Sequence, residues 1–283
     1  MTAPRDVRSL IADAVRRLAA AGVESPDHDA RTLLAHVLRV QRSRLPLIGD
    51  VTDAQAAELD ALVSRRSGRE PLQHLTGVAH FRHVELLVGP GVFVPRPETE
   101  LLAGWAVEEA GRLDDPVVVD LGTGSGAMAK AIAHEVPQAR VHAVELDERA
   151  HVWAVRNLES TGIDLRQGDL AEAFDDLAGT VHVVVSNPPY IPHEAWESVD
   201  VEVRDHDPEL ALYAAGDGLD TIRAVERRAA VLLRPGGVVG VEHADVQGTT
   251  APAVFTATGS WDQVRDHEDL TGRPRFVTAR LAR

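Results

Sequence analysis

One run of residues limits this chain more than any other. Val117-Val118-Val119-Asp120 passes directly into Leu121-Gly122-Thr123-Gly124-Ser125-Gly126, and an apolar helical pattern follows as far as Val136. A short valine-rich run reads as a strand buried on both faces, and glycines at alternate positions let the backbone turn sharply and approach a ligand. The alternation continues along the chain. Pro97 starts a helix holding Leu101, Leu102 and Trp105, and a strand Val141–Leu146, a helix across Arg149–Ser160 and strands near Leu165 and at Val181–Ser186 follow. A helix Leu219–Leu233, a strand Val238–Glu242, a helix near Val246–Ala257 and strands near Val264 and Phe276 complete it. Apolar strands separated by amphipathic helices specify an α/β domain with a mostly parallel sheet, here residues 96–283.

The first 75 residues have a different period. Val7, Leu10, Ile11, Ala14, Val15 and Leu18 form one helical stripe ended by Gly22. Ser25-Pro26 opens a second helix burying Leu33, Leu34, Val37 and Leu38, and Thr52 with Gln55 three residues on is a capping box for a third, which buries Leu59, Leu62 and Val63. With no cluster of reactive side chains, residues 1–75 read as a recognition or docking module. Residues 76–95 read as a hairpin linker: a strand Phe81–Val88, a turn Gly89-Pro90-Gly91 and a return at Val92–Val94.

Composition removes several chemistries. The chain has no cysteine, so disulfides, thiolate zinc sites, iron–sulfur clusters and a cysteine nucleophile are out. The 13 histidines show no ligand spacing, His80 and His83 falling on opposite faces of an expected strand, so no metal is expected. No apolar run approaches the roughly 20 residues of a membrane span, and a cytoplasmic protein is expected. Residues 1–75 hold 11 Arg against 10 Asp and Glu, net +1, which leaves −16 of the total −15 on the rest. Such an acidic body repels a phosphate backbone at long range and disfavours nucleic acid as a direct partner. Arg39, Arg42 and Arg44 are the local exception, and also read as a solvated helix end.

The glycine turn offers free N–H groups at a helix start to an anion. Gly122, Gly124 and Ala127 satisfy the relaxed dinucleotide spacing, so the turn alone leaves NAD open, while Gly126 as third glycine fits S-adenosylmethionine better. Glu145, near the tip of the second strand, can accept both hydroxyls of a ribose. Asp169 after the third strand can take an adenine amine or cap the following helix, and both readings stand.

After the fourth strand comes Asn187-Pro188-Pro189-Tyr190. Two prolines stiffen the turn and leave carbonyls without N–H donors, Asn187 adds a side-chain acceptor, and Tyr190 adds a flat face. That set fits a planar –NH2 group: Asn187 oxygen and Pro188 carbonyl hold its two protons while the tyrosine ring packs on its plane. The chemistry indicated is methyl transfer to an unreactive nitrogen. Two fixed acceptors stabilise the charge growing on the N–H groups, and alignment does the rest, without a strong general base.

On these residues the chain resembles the PrmC/HemK release-factor glutamine methyltransferases. The resemblance also rests on Arg69-Glu70-Pro71-Leu72-Gln73-His74-Leu75-Thr76-Gly77, on Val94-Pro95-Arg96-Pro97-Glu98-Thr99-Glu100, on Ile191-Pro192, and on the run Val203-Arg204-Asp205-His206-Asp207-Pro208-Glu209-Leu210-Ala211-Leu212. It implies a Class I S-adenosylmethionine-dependent methyltransferase, with a Rossmann-like, mostly parallel seven-stranded sheet whose final strand is reversed, behind a small helical domain. By the same resemblance Gly122, Thr123, Gly124, Ser125, Gly126, Glu145, Asp169, Leu170 and Asn187 hold the cofactor. Asn187, Pro188, Pro189 and Tyr190 hold the substrate glutamine, with Asn187, Pro188 and Tyr190 acting in catalysis. Leu170 stands where the family often has an aromatic residue, and Asp207 where it more often has Glu. Arg96, Glu98 and Glu100 read either as part of closing the site or as a helix-start salt-bridge set, and Arg204–Pro208 as a lid or an ordered loop. The expected activity is methylation of the Gly-Gly-Gln glutamine of class 1 peptide chain release factors by a monomer. The alternatives are a glutamine of a ribosomal protein and, further off, adenine N6 in DNA.

Overall fold

The computed structural model describes residues 5–283, with the side chains of Arg5, His193 and Ser198 outside the description; residues 1–4, the start of the expected helical module, lie outside the described residues. Val117–Leu121 (β1) is buried at all five positions, which a strand achieves only inside a sheet covered on both faces. It pairs in parallel with Arg140–Glu145 (β2) and Val181–Ser186 (β4), and β2 pairs with Asp164–Gln167 (β3). Leu233–Glu242 (β5) runs parallel to β4. Trp261–Glu268 (β6) and Pro274–Leu281 (β7) form an antiparallel pair, with β7 inserted antiparallel beside β5. The seven strands stand in the order β6-β7-β5-β4-β1-β2-β3, a mostly parallel sheet with one reversed strand. The order turns back on itself between β1 and β4, and the crevice outside the carboxyl ends of these strands is where open α/β sheets take ligands.

Helices cover both faces. On one side lie Thr99–Gly111, Ala127–Glu135 and Glu148–Leu158, whose buried residues join Val118, Val183 and Val185 in one core. On the other, Asp220–Leu232 and Thr250–Thr256 pack on Val119, Val184, Val239 and Val277. The second of these is shorter than the sequence predicts: Asp245–Gln247 is a separate 3-10 turn, and Val246 stays exposed.

The hairpin differs from its expected form. Its strands are Val78–Phe81 and Val84–Leu87, and the chain reverses at Arg82-His83 rather than at Gly89-Pro90-Gly91. Arg82 takes a left-handed φ of 50°, donates its N–H to Glu100 Oε1, and clamps Glu135 with Nε and Nη2, so ion pairing fixes the turn. His83 therefore sits in the turn, not on a strand face. Val92 and Val94 are fully buried but belong to no strand; the alternation there reports burial, not pairing. Nor is 76–95 a separate linker: from Ala79 it belongs to the sheet-containing unit, with Phe81, Leu86, Val88 and Val92 in its core.

The other unit runs to Val78 and also takes in Asp200–His206. Its helices are Val7–Ala20, Pro26–Leu38, Asp53–Ser67, Leu72–Thr76 and Val201–His206, so Arg204–His206, read from the sequence as lid or loop, is helical. Leu18, Leu33 and Leu34 are fully buried, each contributing about 1.5–3 kcal/mol of apolar transfer. The capping box forms: Thr52 N–H donates to Gln55 Oε1 and Gln55 N–H to Thr52 Oγ1. Ser25, by contrast, makes no side-chain cap. At the centre of this unit Arg66 is buried, its Nε on Asp29 Oδ2 at 2.7 Å and its Nη1 on Glu202 Oε2 at 2.7 Å. Arg39, Arg42 and Arg44 are exposed.

Candidate active site

The glycine turn is shaped by what its backbone must do. Gly122, Gly124 and Gly126 have φ of +77°, +59° and +86°, the left-handed region that side chains rarely enter. Gly122 N–H and Thr123 N–H both donate to Val144 O, hanging the turn on β2. Asp120, wholly buried, accepts from Thr123 Oγ1 at 2.6 Å and Ala129 N–H at 3.2 Å through Oδ2, and burial pushes its carboxyl up to about 7. Asn157 holds the turn from behind: its Nδ2 donates to Ser125 O and Leu87 O, and its Oδ1 accepts Leu87 N–H, binding the turn to the hairpin.

Glu145 ends β2 with both oxygens turned inward. Oε2 accepts Gly124 N–H at 2.7 Å, Oε1 accepts Asp147 N–H at 2.9 Å, and burial raises the carboxyl above the usual range. A carboxylate held this way keeps lone pairs for hydroxyls brought to the cavity. Asp169 uses Oδ1 to accept Ala171 N–H, the local turn role, while it also faces the cavity; turns follow it directly, and the first helical piece there, a 3-10 turn, begins at Asp175.

One cavity of about 440 Å³ joins these residues to the end of β4. Gly122, Thr123, Gly124, Ser125, Glu145, Asp169, Leu170, Asn187, Pro189 and Tyr190 line it, with Phe93 and Thr99 from before β1 and Leu210 from the short helix Glu209–Leu212 after β4. Two expected residues are not in the lining. Gly126 stands behind the turn against Leu158, and Pro188 is buried beneath it.

The turn after β4 is fixed from several directions. Ser186 Oγ donates to Leu121 O at 2.6 Å, tying the ends of β4 and β1 together. Asn187 Nδ2 donates to Thr99 Oγ1 at 3.2 Å, and Tyr190 O–H donates to Glu242 Oε1 at 3.4 Å. Gln247 Nε2 donates to Tyr190 O at 3.1 Å. Tyr190 is held above the ordinary tyrosine range first by burial and then by the Glu242 charge. Glu242 is buried at the end of β5, and burial pushes its carboxyl up to about 7.

Beside this turn, Asp207 is fully buried through its side chain and receives Arg96 Nη2, whose guanidinium also lies over Phe93 at 5.0 Å. Arg96 thus belongs to a cross-loop anchor, not a helix-start set, and Glu100 serves Arg82 instead.

Residues 97–203 match the family model described as the methyltransferase small domain, and residues 9–77 match the PrmC N-terminal domain. The release factor glutamine methyltransferase of Streptomyces coelicolor is 57% identical over 275 residues, covering 96% of this chain and 97% of that one. The chain belongs to the release factor glutamine methyltransferase family. The member from Mycolicibacterium smegmatis is 47% identical, with 98% and 99% of the two chains covered. Among solved structures, the hMettl16 catalytic domain superposes with a TM-score of 0.56 at 15% identity over 83% of this chain and 84% of its own, a likeness of fold.

No role is legible in the sequence for Thr99 or Asn157, which with Glu242 hold the two turns around the cavity. Glu242 had a usable signal, an acid closing an apolar strand as Glu145 does. Thr99 and Asn157 had none, because their role is to hold a distant backbone or side chain.

Proposed function

We propose that the protein transfers a methyl group from S-adenosyl-L-methionine to the side-chain amide nitrogen, N5, of the glutamine in the Gly-Gly-Gln motif of class 1 peptide chain release factors. The supporting observation is that the glycine turn and the Asn187-Pro188-Pro189-Tyr190 turn open into the same cavity, so a donor held by one reaches an acceptor held by the other.

The residues fit the cofactor. The left-handed glycines and the N-terminus of the helix Ala127–Glu135 suit its carboxylate, Glu145 suits its ribose hydroxyls, and Leu170 gives an apolar surface for adenine in place of an aromatic ring. Bound S-adenosylmethionine supplies a methyl group on a positively charged sulfur. The chain's part is to hold and desolvate the acceptor. Asn187 Oδ1, which the cavity reaches, accepts an amide proton, the Tyr190 ring lies on the amide plane, and the fixed acceptor favours the positive charge that grows on nitrogen. The proton leaves after transfer, so no strong base is required. The helical unit recognises the release factor. On this reading the protein acts in the cytoplasm, as a monomer, on protein rather than nucleic acid.

The test uses the full chain, methyl-labelled S-adenosylmethionine and three acceptors: a release factor, ribosomal proteins and duplex DNA. Label is expected on the release factor, lost when its Gly-Gly-Gln glutamine is replaced. Label on either other acceptor alone rejects the proposal.

A further inference from the structure

A carboxamide has two ends of nearly equal size, one an acceptor and one a donor, and packing alone does not choose between them. If Asn187 is to receive an amide proton, Oδ1 must face the guest and Nδ2 must face away. Reversed, it would present a donor to a donor. Something in the fold has to set this direction.

The geometry supplies it. Asn187 Nδ2 points at Thr99 Oγ1, 3.2 Å away. Thr99 is the first residue of the helix Thr99–Gly111 and only 4% exposed, so water does not compete for its hydroxyl. A hydroxyl has one proton to give. Next to it stands Glu242, 2% exposed, with Oε1 taken by Tyr190 O–H and Oε2 buried without a hydrogen-bond partner among the described residues. Burial pushes this carboxyl up to about 7, and the Thr99 hydroxyl opposes burial by favouring the charged form, the form in which both oxygens accept. An open buried acceptor beside a rotatable hydroxyl draws its proton, because an unfilled lone pair in the interior costs more than a satisfied one. Once Thr99 gives its proton to Glu242, its own lone pairs can only accept, and the neighbour they accept from is Asn187 Nδ2.

We infer that Thr99 and Glu242 are positioning residues that fix the direction of the Asn187 carboxamide, turning Oδ1 toward the substrate. The inference rests on the role proposed above for Asn187. It also explains why one buried acid serves both ends of the turn: Glu242 sets Asn187 through Thr99 and holds Tyr190 directly. Arg275, Glu98 and Arg96 contribute the remaining charges around the Glu242–Tyr190 pair.

The test compares Thr99→Val, Thr99→Ser and Glu242→Gln in the full chain by two readouts. The first is the side-chain NH2 resonances of Asn187 in the ligand-free protein, assigned by their loss in Asn187→Asp. Thr99→Val is expected to remove their protection from exchange, and Thr99→Ser to keep it. The second is turnover on a release factor. Thr99→Val should lower kcat on the order of 10²-fold, as for a misaligned reacting group, leaving S-adenosylhomocysteine affinity and the release-factor KM at wild-type values. Thr99→Ser should restore kcat. Wild-type resonances and kcat in Thr99→Val overturn the inference, as does Thr99→Ser being no better than Thr99→Val. Should Thr99→Val not fold, Glu242→Gln decides, since unchanged Asn187 resonances there are equally fatal. A wild-type protein that labels no release factor sinks the functional proposal instead, and the resonances still judge this one.

Discussion

Two of the three left-handed glycines in the β1 turn should fail in opposite ways when given a methyl group. At Gly126, with φ +86°, a Cβ would lie 3.0–3.1 Å from three side-chain atoms of Leu158, itself a buried core residue. Left-handed backbone costs an L-residue about 1–2 kcal/mol and overpacking about 1–3 kcal/mol, so Gly126→Ala should destabilise by roughly 2–5 kcal/mol. For a unit of this size each kcal/mol moves Tm by about 2–4 °C, which puts the fall near 10 °C. At Gly124, φ +59°, a Cβ meets nothing within 4 Å, so Gly124→Ala carries the backbone term alone. Gly124, however, lines the cavity and its N–H is on Glu145, whereas Gly126 does not line it. Thermal unfolding and calorimetry with S-adenosylhomocysteine should therefore cross over: Gly126→Ala loses stability and keeps affinity while folded, and Gly124→Ala loses affinity on the order of tenfold and keeps most of its stability. Adding Leu158→Ala to Gly126→Ala should be less than additive, since the cavity absorbs the methyl. A Gly124→Ala variant less stable than Gly126→Ala, or a Gly126→Ala variant that loses binding with Tm unmoved, would refute these roles.

Asn187→Ala should keep cofactor affinity by calorimetry and lose transfer on the order of 10²-fold or more, as for a deleted preorganised polar contact; unchanged turnover would show the acceptor site misassigned. Stability should fall as pH rises from about 5 to 7, since Glu242 and Asp120 are pushed up to about 7 and the folded protein holds their protons more tightly than the unfolded chain does. Each acid contributes at most about 3 kcal/mol to that slope, and Glu242→Gln should flatten it in urea unfolding at stepped pH; an identical slope counts against the burial argument. Asp207→Asn should destabilise more than any exposed carboxamide swap, by about 3–5 kcal/mol on denaturant titration, because it leaves Arg96 without its buried charge partner.

The centre of the sheet was legible because β1, β4 and β5 carry runs of valine between amphipathic helices, the trace that burial on both faces leaves. The glycine turn and the Asn187–Tyr190 turn were legible for a similar reason: glycine, proline and asparagine at a strand end have few structural uses. The hairpin turn was misplaced because Arg82 is an unusual turn residue, held left-handed by Glu100 and Glu135, partners distant in sequence. Thr99 was hidden for the same physical cause. An ordinary threonine at a helix start acquires meaning only when β4 and β5 bring Asn187 and Glu242 to it.

Arg66 turns a modest stretch of 200s sequence into part of the helical unit's interior, since Glu202 shares its guanidinium with Asp29. The helices are consequently not a detachable cassette. A chimaera that imports a relative's first 78 residues alone inherits a foreign Glu202 neighbourhood around a cation shielded from water, and grafts that carry the relative's 200–206 along with its helices should express as the better-folded protein.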